Sequence, residues 1–359
     1  MLLTTAFKFL NLIGGFAVVG ALLSMAFLVI NKDGFLTTSG EKVRRFLKVS
    51  STIWVVGAFG TVIFTLAQIL GTTVSDALDL TVIRSFITQI SLGKYLAFQA
   101  LMAAVVLIFS FATKKIEFLI ILLVLSIAGL VAPVFESHAA SGGSHSLVIG
   151  SLVIHVIALA LWVGGVIALG TLSAQDRPTA VPRFSQMALW TAIAVVISGI
   201  TNAWARLNFM DAWSSGYARI VLLKAALTFI LLFLGYRNRR GLAQGSSTGI
   251  KLLGRFVVVE AFIMTALLFL GSWLAQSEPP ARGDLSISPA LSIVGVATPA
   301  EPTLARLLLL YQPDALIMGI LIVLVALYIK GVVVLTKRGD KWPVGRTISF
   351  ALAISAIDF

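Results

Sequence analysis

Long apolar runs separated by short polar segments dominate the pattern along the chain. A helix of about 20 apolar residues, rising about 1.5 Å per residue, crosses the hydrocarbon core of a bilayer. The runs predict membrane helices near residues 9–30, 51–71, 92–112, 117–134, 147–171, 185–203, 218–236, 256–275 and 314–334, and the start of a tenth near 344. The first run is too long for the apolar core of a signal peptide, so we expect it to remain a membrane span.

Composition supports the same class of protein. Of the 359 residues, 58% are hydrophobic and 12% are charged, whereas an ordinary globular domain has about 45–50% apolar and about 25% charged residues. We therefore expect an all-α fold, a polytopic membrane helix bundle of about nine to ten transmembrane helices embedded in the lipid bilayer. The chain has no cysteine, which excludes disulfides and thiolate metal sites.

The basic residues are distributed unevenly among the loops. Of the 27 Lys and Arg residues, 19 lie in every second loop, at 31–50, 113–116, 172–184, 237–255 and 330–346. Cytoplasmic loops carry such an excess, so the distribution predicts that the N-terminus is outside. The net charge of +12 is thus explained by topology, and we expect no nucleic-acid partner.

Two features predict a modular organisation. The segment 276–313 is long and rich in Pro, Ser and Ala, which is typical of an external linker between an eight-helix membrane domain at 1–275 and a second membrane unit at 314–359. After Val344 too few apolar residues remain to cross a bilayer. We expect the second unit to be truncated; the alternative is a terminal helix that lies in the membrane interface.

All three histidines of the chain fall within a short stretch. His138 and His145 lie in a predicted external loop with Glu136, and His155 lies in the predicted fifth membrane helix. Imidazole and carboxylate groups are ligands for copper or zinc, so the cluster predicts a metal site. The alternative is that two are ordinary loop residues and the third is a hydrogen-bonded helix residue.

The fifth predicted helix has two distinct faces. At 100° per residue, His155 shares one face with Trp162, and a stripe of small residues occupies the opposite face. The stripe comprises Ala160, Gly164 and Ala168. It permits close packing against another helix, so the face of His155 is expected to look toward another part of the bundle. Trp162 is then bundle-facing, with plain core packing as the simpler explanation.

Lys224 and Glu260 are the other charges inside predicted spans. Counting residues from opposite surfaces places them about 12 Å apart in depth, so we do not expect them to pair. Lys224 either extends outward to the membrane surface or fixes an anionic or polar group in the bundle. Glu260 is close enough to Arg255 for a local ion pair.

Two stretches carry a resemblance to a known family. The segment 138–145 (HAASGGSH), with 151–165 (SLVIHVIALALWVGG) close behind it, resembles the copper-resistance D (CopD) family of membrane proteins. Residues 217–224 are similar to that family's Tyr-Gly-Arg-x-Leu-Leu-x-Lys pattern, with Ala218 at the expected glycine, and the likeness ends at 236–239 (YRNR). Together these stretches cover the predicted helices 5 to 8.

Residues beyond the linker carry a second resemblance. The segments 313–316, 326–331 and 338–346 are similar to the opening of the CtaG family of cytochrome c oxidase assembly proteins. The combination resembles the fused CopD–CtaG proteins of actinobacteria. We therefore expect most of the CtaG part to be missing from this chain.

The resemblance implies copper handling rather than enzymatic catalysis. It implies movement of copper ions across the cytoplasmic membrane and, in fused proteins, supply of copper to the oxidase. Copper is then the ion that the protein transports or binds, and Glu136, His138, His145 and His155 are its implied ligands. The resemblance also implies a role for Lys224 in the bundle. Oxidase subunits or a periplasmic-side copper-binding protein are the implied partners.

Two other functions remain open at this point. The chain could be a non-transporting assembly or scaffold protein for the oxidase. It could also transport another solute with the help of Lys224 and Glu260.

Overall fold

The computed structural model describes residues 2–136, 145–173, 175–207, 210–243, 247–280, 315–337 and 343–355. Within these ranges the chain forms helices and no β-strand, which confirms the predicted all-α bundle. The helices are α1 (Leu2–Leu23), α2 (Thr38–Leu70), α3 (Val74–Ala77), α4 (Leu80–Gln89), α5 (Ser91–Ala112), α6 (Ile116–Val131), α7 (His145–Thr171), α8 (Arg177–Arg206), α9 (Gly216–Ala243), α10 (Ser247–Leu274), α11 (Ala315–Lys337) and α12 (Val344–Ser355).

Eight helical segments of the described chain are long and apolar enough to cross a membrane. They are Leu2–Leu28, Gly40–Leu70, Ser91–Ala112, Ile116–Glu136, Leu147–Thr171, Arg177–Arg206, Gly216–Arg237 and Leu316–Lys337. The remaining predicted run, 256–275, lies on α10, whose apolar part among the described residues is Val258–Leu274. The predicted start of the tenth helix coincides with α12.

The second helix begins well before its apolar run. α2 starts at Thr38, although the sequence pattern predicts a span from 51. The early turns are amphipathic, because Val43 and Leu47 are fully buried while Glu41 pairs with Lys114 at 2.7 Å. A count of apolar residues misses such turns, since their charged face lowers the average hydropathy.

The small-residue stripe of α7 packs closely against α1. A Cβ added to Gly20 of α1 would overlap the backbone of Gly164 of α7, and one added to Gly164 would overlap the carbonyl of Phe16. The predicted close packing of this stripe is therefore confirmed. Gly165 instead faces the ring of Phe184 on α8, so α7 lies between α1 and α8.

A neutral polar pair joins α1 to α5 in the first half of the bundle. Asn11 Nδ2 donates a hydrogen bond of 2.7 Å to Gln99 Oε1, and both side chains are buried. α2 approaches at the same level, because a Cβ on Gly57 would overlap the Asn11 backbone. Three helices thus meet around one amide pair.

One end of the bundle gathers the loops that the sequence assigns to the cytoplasm. The Leu36 N–H donates to the Lys114 carbonyl, and the Arg183 Nη1 donates to the Phe27 carbonyl at 3.3 Å. The loops near 31–37, 113–116 and 172–184 therefore share one end, as alternating spans require.

The opposite end gathers loops assigned to the outside. Gln276, just after α10, donates to the Thr5 hydroxyl at the start of α1, and the rings of Tyr95 and Phe135 lie 6.0 Å apart between α5 and the turn after α6. The contacts fit the predicted alternation, while the outside location of the N-terminus stays a prediction.

α11 packs against α7 through residues that neighbour His155 in the sequence but point away from its face. Its Gly319 lies against the side chain of Ile154, and Leu316 packs with Val153. Most of the predicted linker, 276–313, lies outside the described residues, so the domain boundaries stay predictions.

Candidate functional site

α8 holds the imidazole of His155 in a defined position. The Nδ1 atom lies 2.9 Å from the Ser198 hydroxyl oxygen. Gly199, the next residue of α8, lies beside the ring, and an added Cβ there would be 3.5 Å from His155 Cε1. Gly199 thus lies in ordinary contact with the ring, and Ser198 supplies its hydrogen-bond partner.

The hydrogen bonds of Ser198 fit one tautomer of this imidazole. Ser198 Oγ donates to the Ala194 carbonyl at 2.5 Å. Because a hydroxyl has a single proton, the oxygen is left to accept a hydrogen bond from the Nδ1–H of His155. The Nε2 atom of neutral His155 then carries the lone pair, which is the form that binds a metal ion.

A row of polar side chains continues from Ser198 to the end of α8. Asn202 Nδ2 donates to the Ser198 carbonyl at 2.8 Å, and Arg206 Nη1 donates to Asn202 Oδ1 at 3.2 Å. The residues are four apart, so they share one face of the helix. None of the three was among the residues predicted for the site, although polar residues at this spacing in an apolar helix are a recognisable signal.

Lys224 of α9 brings a second cation to this region. Its Nζ lies 3.6 Å from the position of a Cβ on Gly271 of α10. The charges of Lys224 and Arg206 act on the imidazole of His155, and the charge of Arg206 also acts on Lys224. The charges of Arg206 on α8 and Lys224 on α9 therefore act together near His155, and we call these two residues the cationic cluster.

Glu260 lies away from this cluster. Eleven residues separate it from Gly271, which corresponds to ~16 Å along α10. The separation agrees with the prediction that Lys224 and Glu260 do not pair. Among the described residues, ion pairs join Glu41 to Arg44 and Lys114, and neither Arg206 nor Lys224 is neutralised by a carboxylate there.

The other predicted ligands lie toward the end of α7 or beyond the described part. Glu136 is exposed at the end of the turn after α6. His145 begins α7, but its side chain is outside the described residues, as is all of His138. His145 and His155 are separated by ~15 Å of helix, too far for both to bind one ion with bonds of about 2 Å.

The described residues contain no group of three His, Asp or Glu side chains that could hold a metal ion. The predicted metal site therefore stays a prediction. Trp162 is 8% exposed and so faces the bundle rather than lipid. Glu260 is half-buried, and the side chain of Arg255 is outside the described residues.

Two family profiles match this chain. The profile described as "Copper resistance protein D-like, N-terminal domain" matches residues 1–146, and the one described as "Copper resistance protein D" matches residues 178–274. The second range includes the polar row of α8, Lys224 and Gly271, whereas His155 lies between the two ranges.

The chain is also similar to two curated proteins. They are the uncharacterized protein Mb0105 of Mycobacterium bovis and the uncharacterized protein MT0111 of Mycobacterium tuberculosis. Each is 25% identical over 253 residues, which cover 67% of this chain and 35% of the relative. The chain thus spans about a third of the length of these relatives. No solved structure matches it.

Proposed function

Because this chain belongs to the copper resistance protein D family, a family of multi-pass membrane proteins that handle copper, we propose that it carries copper ions across the cytoplasmic membrane through its helix bundle. His138 and His145, with Glu136, capture the ion at the outer mouth. His155 receives it within the bundle. No covalent reaction is involved.

The observation that carries this proposal is the hydrogen bond between His155 and Ser198. A neutral His155 that donates from Nδ1 to Ser198 presents its Nε2 lone pair inside a membrane bundle. Imidazole binds copper well, and a protein ligand must replace the water that the ion loses on leaving the aqueous phase. A helix histidine in this state meets that requirement.

We also propose that the copper serves cytochrome c oxidase assembly. Support comes from the resemblance of residues 314–359 to the start of a CtaG domain. In this scheme residues 1–275 form the copper-handling domain, and 276–313 link it to the second unit. Oxidase subunits, or a copper-binding protein on the outer side of the membrane, receive or supply the ion.

Copper accumulation in cells tests the transport step. Expression of the wild-type chain should raise cell copper, and His155→Ala should abolish the increase at every external copper concentration. The control is Thr191→Ala, which removes a buried hydroxyl from α8, the helix that hydrogen-bonds His155, about two turns from Ser198. It should transport like wild type, with membrane abundance measured for each variant.

The rival functions give different results in the same experiment. A scaffold for the oxidase leaves copper uptake unchanged while oxidase maturation depends on the chain. A transporter of another solute leaves copper uptake insensitive to all three histidines. Normal copper uptake by abundant His155→Ala protein would make His155 a structural residue and overturn the proposed relay.

The loop histidines should behave differently from His155. The double variant His138→Ala with His145→Ala should raise the copper concentration needed for half-maximal uptake and leave the maximal rate largely intact, because capture at the mouth acts through occupancy. The measurement is uptake against external copper. An equal loss of maximal rate in the loop variant would contradict the assignment of capture to the loop.

A further inference from the structure

We propose that the cationic cluster binds an anionic oxygen group, a carboxylate or a phosphate, between α7, α8, α9 and α10. The inference rests on the geometry of Arg206 and Lys224. It does not require the proposed copper transport.

Arg206 and Lys224 carry positive charge with no carboxylate partner among the described residues. Arg206 and Lys224 act on each other electrostatically, and within the described residues neither forms an ion pair. Lys224 lies well inside a membrane-spanning segment, where a cation is costly unless another group neutralises it. A bound anion supplies the missing negative charge for both.

The second argument is the supply of free donors. Arg206 uses Nη1 for both of its hydrogen bonds, to the side chain and to the carbonyl of Asn202. Its Nη2 and Nε donors, and the three N–H donors of Lys224, make no hydrogen bond to the described residues. A guanidinium held on one side presents its remaining donors as a fork, which matches a carboxylate or phosphate.

The third argument is the shape of the surroundings. Arg206 is the last residue of α8, and Lys224 lies eight residues into α9, ~12 Å deeper along its helix. Opposite the ammonium, α10 presents Gly271 and therefore no side chain. Arg206 thus lies at the end of the bundle and Lys224 deeper within it, where the glycine leaves room beside the ammonium.

An anion here also affects a metal ion at His155. Arg206 and Lys224 both act on that imidazole with positive charge, which disfavours a cation bound to its ring. A carboxylate or phosphate between them offsets this repulsion. A negatively charged copper complex would satisfy both requirements at once.

The experiment measures the unfolding midpoint of purified full-length protein in phosphatidylcholine nanodiscs without copper. Citrate, acetate or inorganic phosphate is added at constant ionic strength. Because a ligand that binds the folded state stabilises it, the wild-type midpoint should rise by several degrees with at least one of these anions. Lys224→Met and Arg206→Gln should each lose most of the rise. The controls Lys94→Met and Arg84→Gln remove exposed charges elsewhere in the chain. Both should keep the rise of the midpoint with anion.

A second arm distinguishes the source of the anion. If a lipid headgroup is the ligand, replacing part of the phosphatidylcholine with phosphatidylglycerol should raise the wild-type midpoint and make soluble anions ineffective. Lys224→Met should not respond to the lipid exchange. If a soluble anion is the ligand, the effect of citrate or phosphate persists in both lipids.

The variants also report on the cost of the unpaired charge. Without any anion, Lys224→Met should be at least as stable as wild type, because it removes a cation that lacks a counter-charge. Equal responses of wild type, Lys224→Met and Arg206→Gln to anions and to lipid would overturn the proposal. The proposal would also be overturned if the unfolding midpoint of Lys224→Met lay below that of wild type by the same amount with and without added anion.

Discussion

The two halves of the bundle place polar groups among helices in different ways. Around α1, the buried pair Asn11 and Gln99 is neutral and hydrogen-bonded to itself, in a region where glycines bring helix backbones into contact. Around α8 and α9, the polar groups include two cations, Arg206 and Lys224, whose remaining donors make no hydrogen bond to the described residues, and α9 lies largely at the periphery of the bundle. The contrast indicates that the first region holds the fold together and the second is available to a ligand.

The largest effect should come from the close contact in the first region. Gly20→Leu places a side chain where the backbone of Gly164 lies, so α1 and α7 must separate. We expect membrane abundance to fall by about tenfold or more. Gly170→Ala is the control, since no atom of a neighbouring described residue lies within 4 Å of the added Cβ. Normal abundance of Gly20→Leu would show that the two helices are not tightly packed.

The second-largest effect should be a loss of copper affinity in a variant that still folds. Ser198→Ala removes the acceptor that holds His155 Nδ1–H and frees the imidazole to change tautomer. Loss of such an orienting partner typically lowers metal affinity by about 10–100-fold. A copper titration of the purified variant measures this, with Thr191→Ala as the control. An unchanged affinity would separate Ser198 from the copper site.

The neutral pair of the first region should instead affect stability alone. Asn11→Leu leaves the Gln99 amide without its partner, which should cost about 1–2 kcal/mol. The double variant Asn11→Leu with Gln99→Leu should cost less than the two single changes added together. Unfolding of the purified protein measures the coupling, while copper uptake per folded molecule should not change. Additive costs would show that the two amides do not interact.

The sequence predicted the membrane helices and the two faces of α7, but it did not predict which residues of α8 lie beside His155. The nine apolar runs and the two faces of α7 follow from local patterns of hydrophobic and small residues, so they could be read directly. The partner of His155 could not, because which helix packs against that face depends on tertiary structure. Ser198 and Arg206 therefore entered only with the fold.

Segments outside the spans show the same limit. The loop 72–94 contains α3 and α4, which a search for long apolar runs does not detect because each helix is short. Likewise, α2 begins at Thr38 because charged and buried residues alternate around its first turns.

The smallest effect should occur at one of these short helices. Asp79 caps α4 by accepting hydrogen bonds from the Thr81 and Val82 N–H groups, and these bonds lower the pKa of its carboxyl below the ordinary value. The capping contribution is present above the pKa of the unfolded chain and is lost as the pH falls through the lowered folded pKa.

Amide hydrogen exchange in α4, corrected for intrinsic rates, should therefore become faster in acid. Asp79→Asn retains a capping oxygen but does not titrate, so its α4 should show little dependence on pH in this range. The same pH profile in both proteins would exclude Asp79 as the titrating cap.

Copper binding by the purified chain shows whether His155 is a copper ligand. Wild-type protein, His155→Ala and the loop double variant His138→Ala with His145→Ala are titrated with Cu(I) against a colorimetric chelator, with folding checked by the unfolding midpoint. The account predicts a bound ion that is lost in folded His155→Ala and retained in the loop variant. Copper binding by His155→Ala with wild-type stoichiometry and affinity would contradict it.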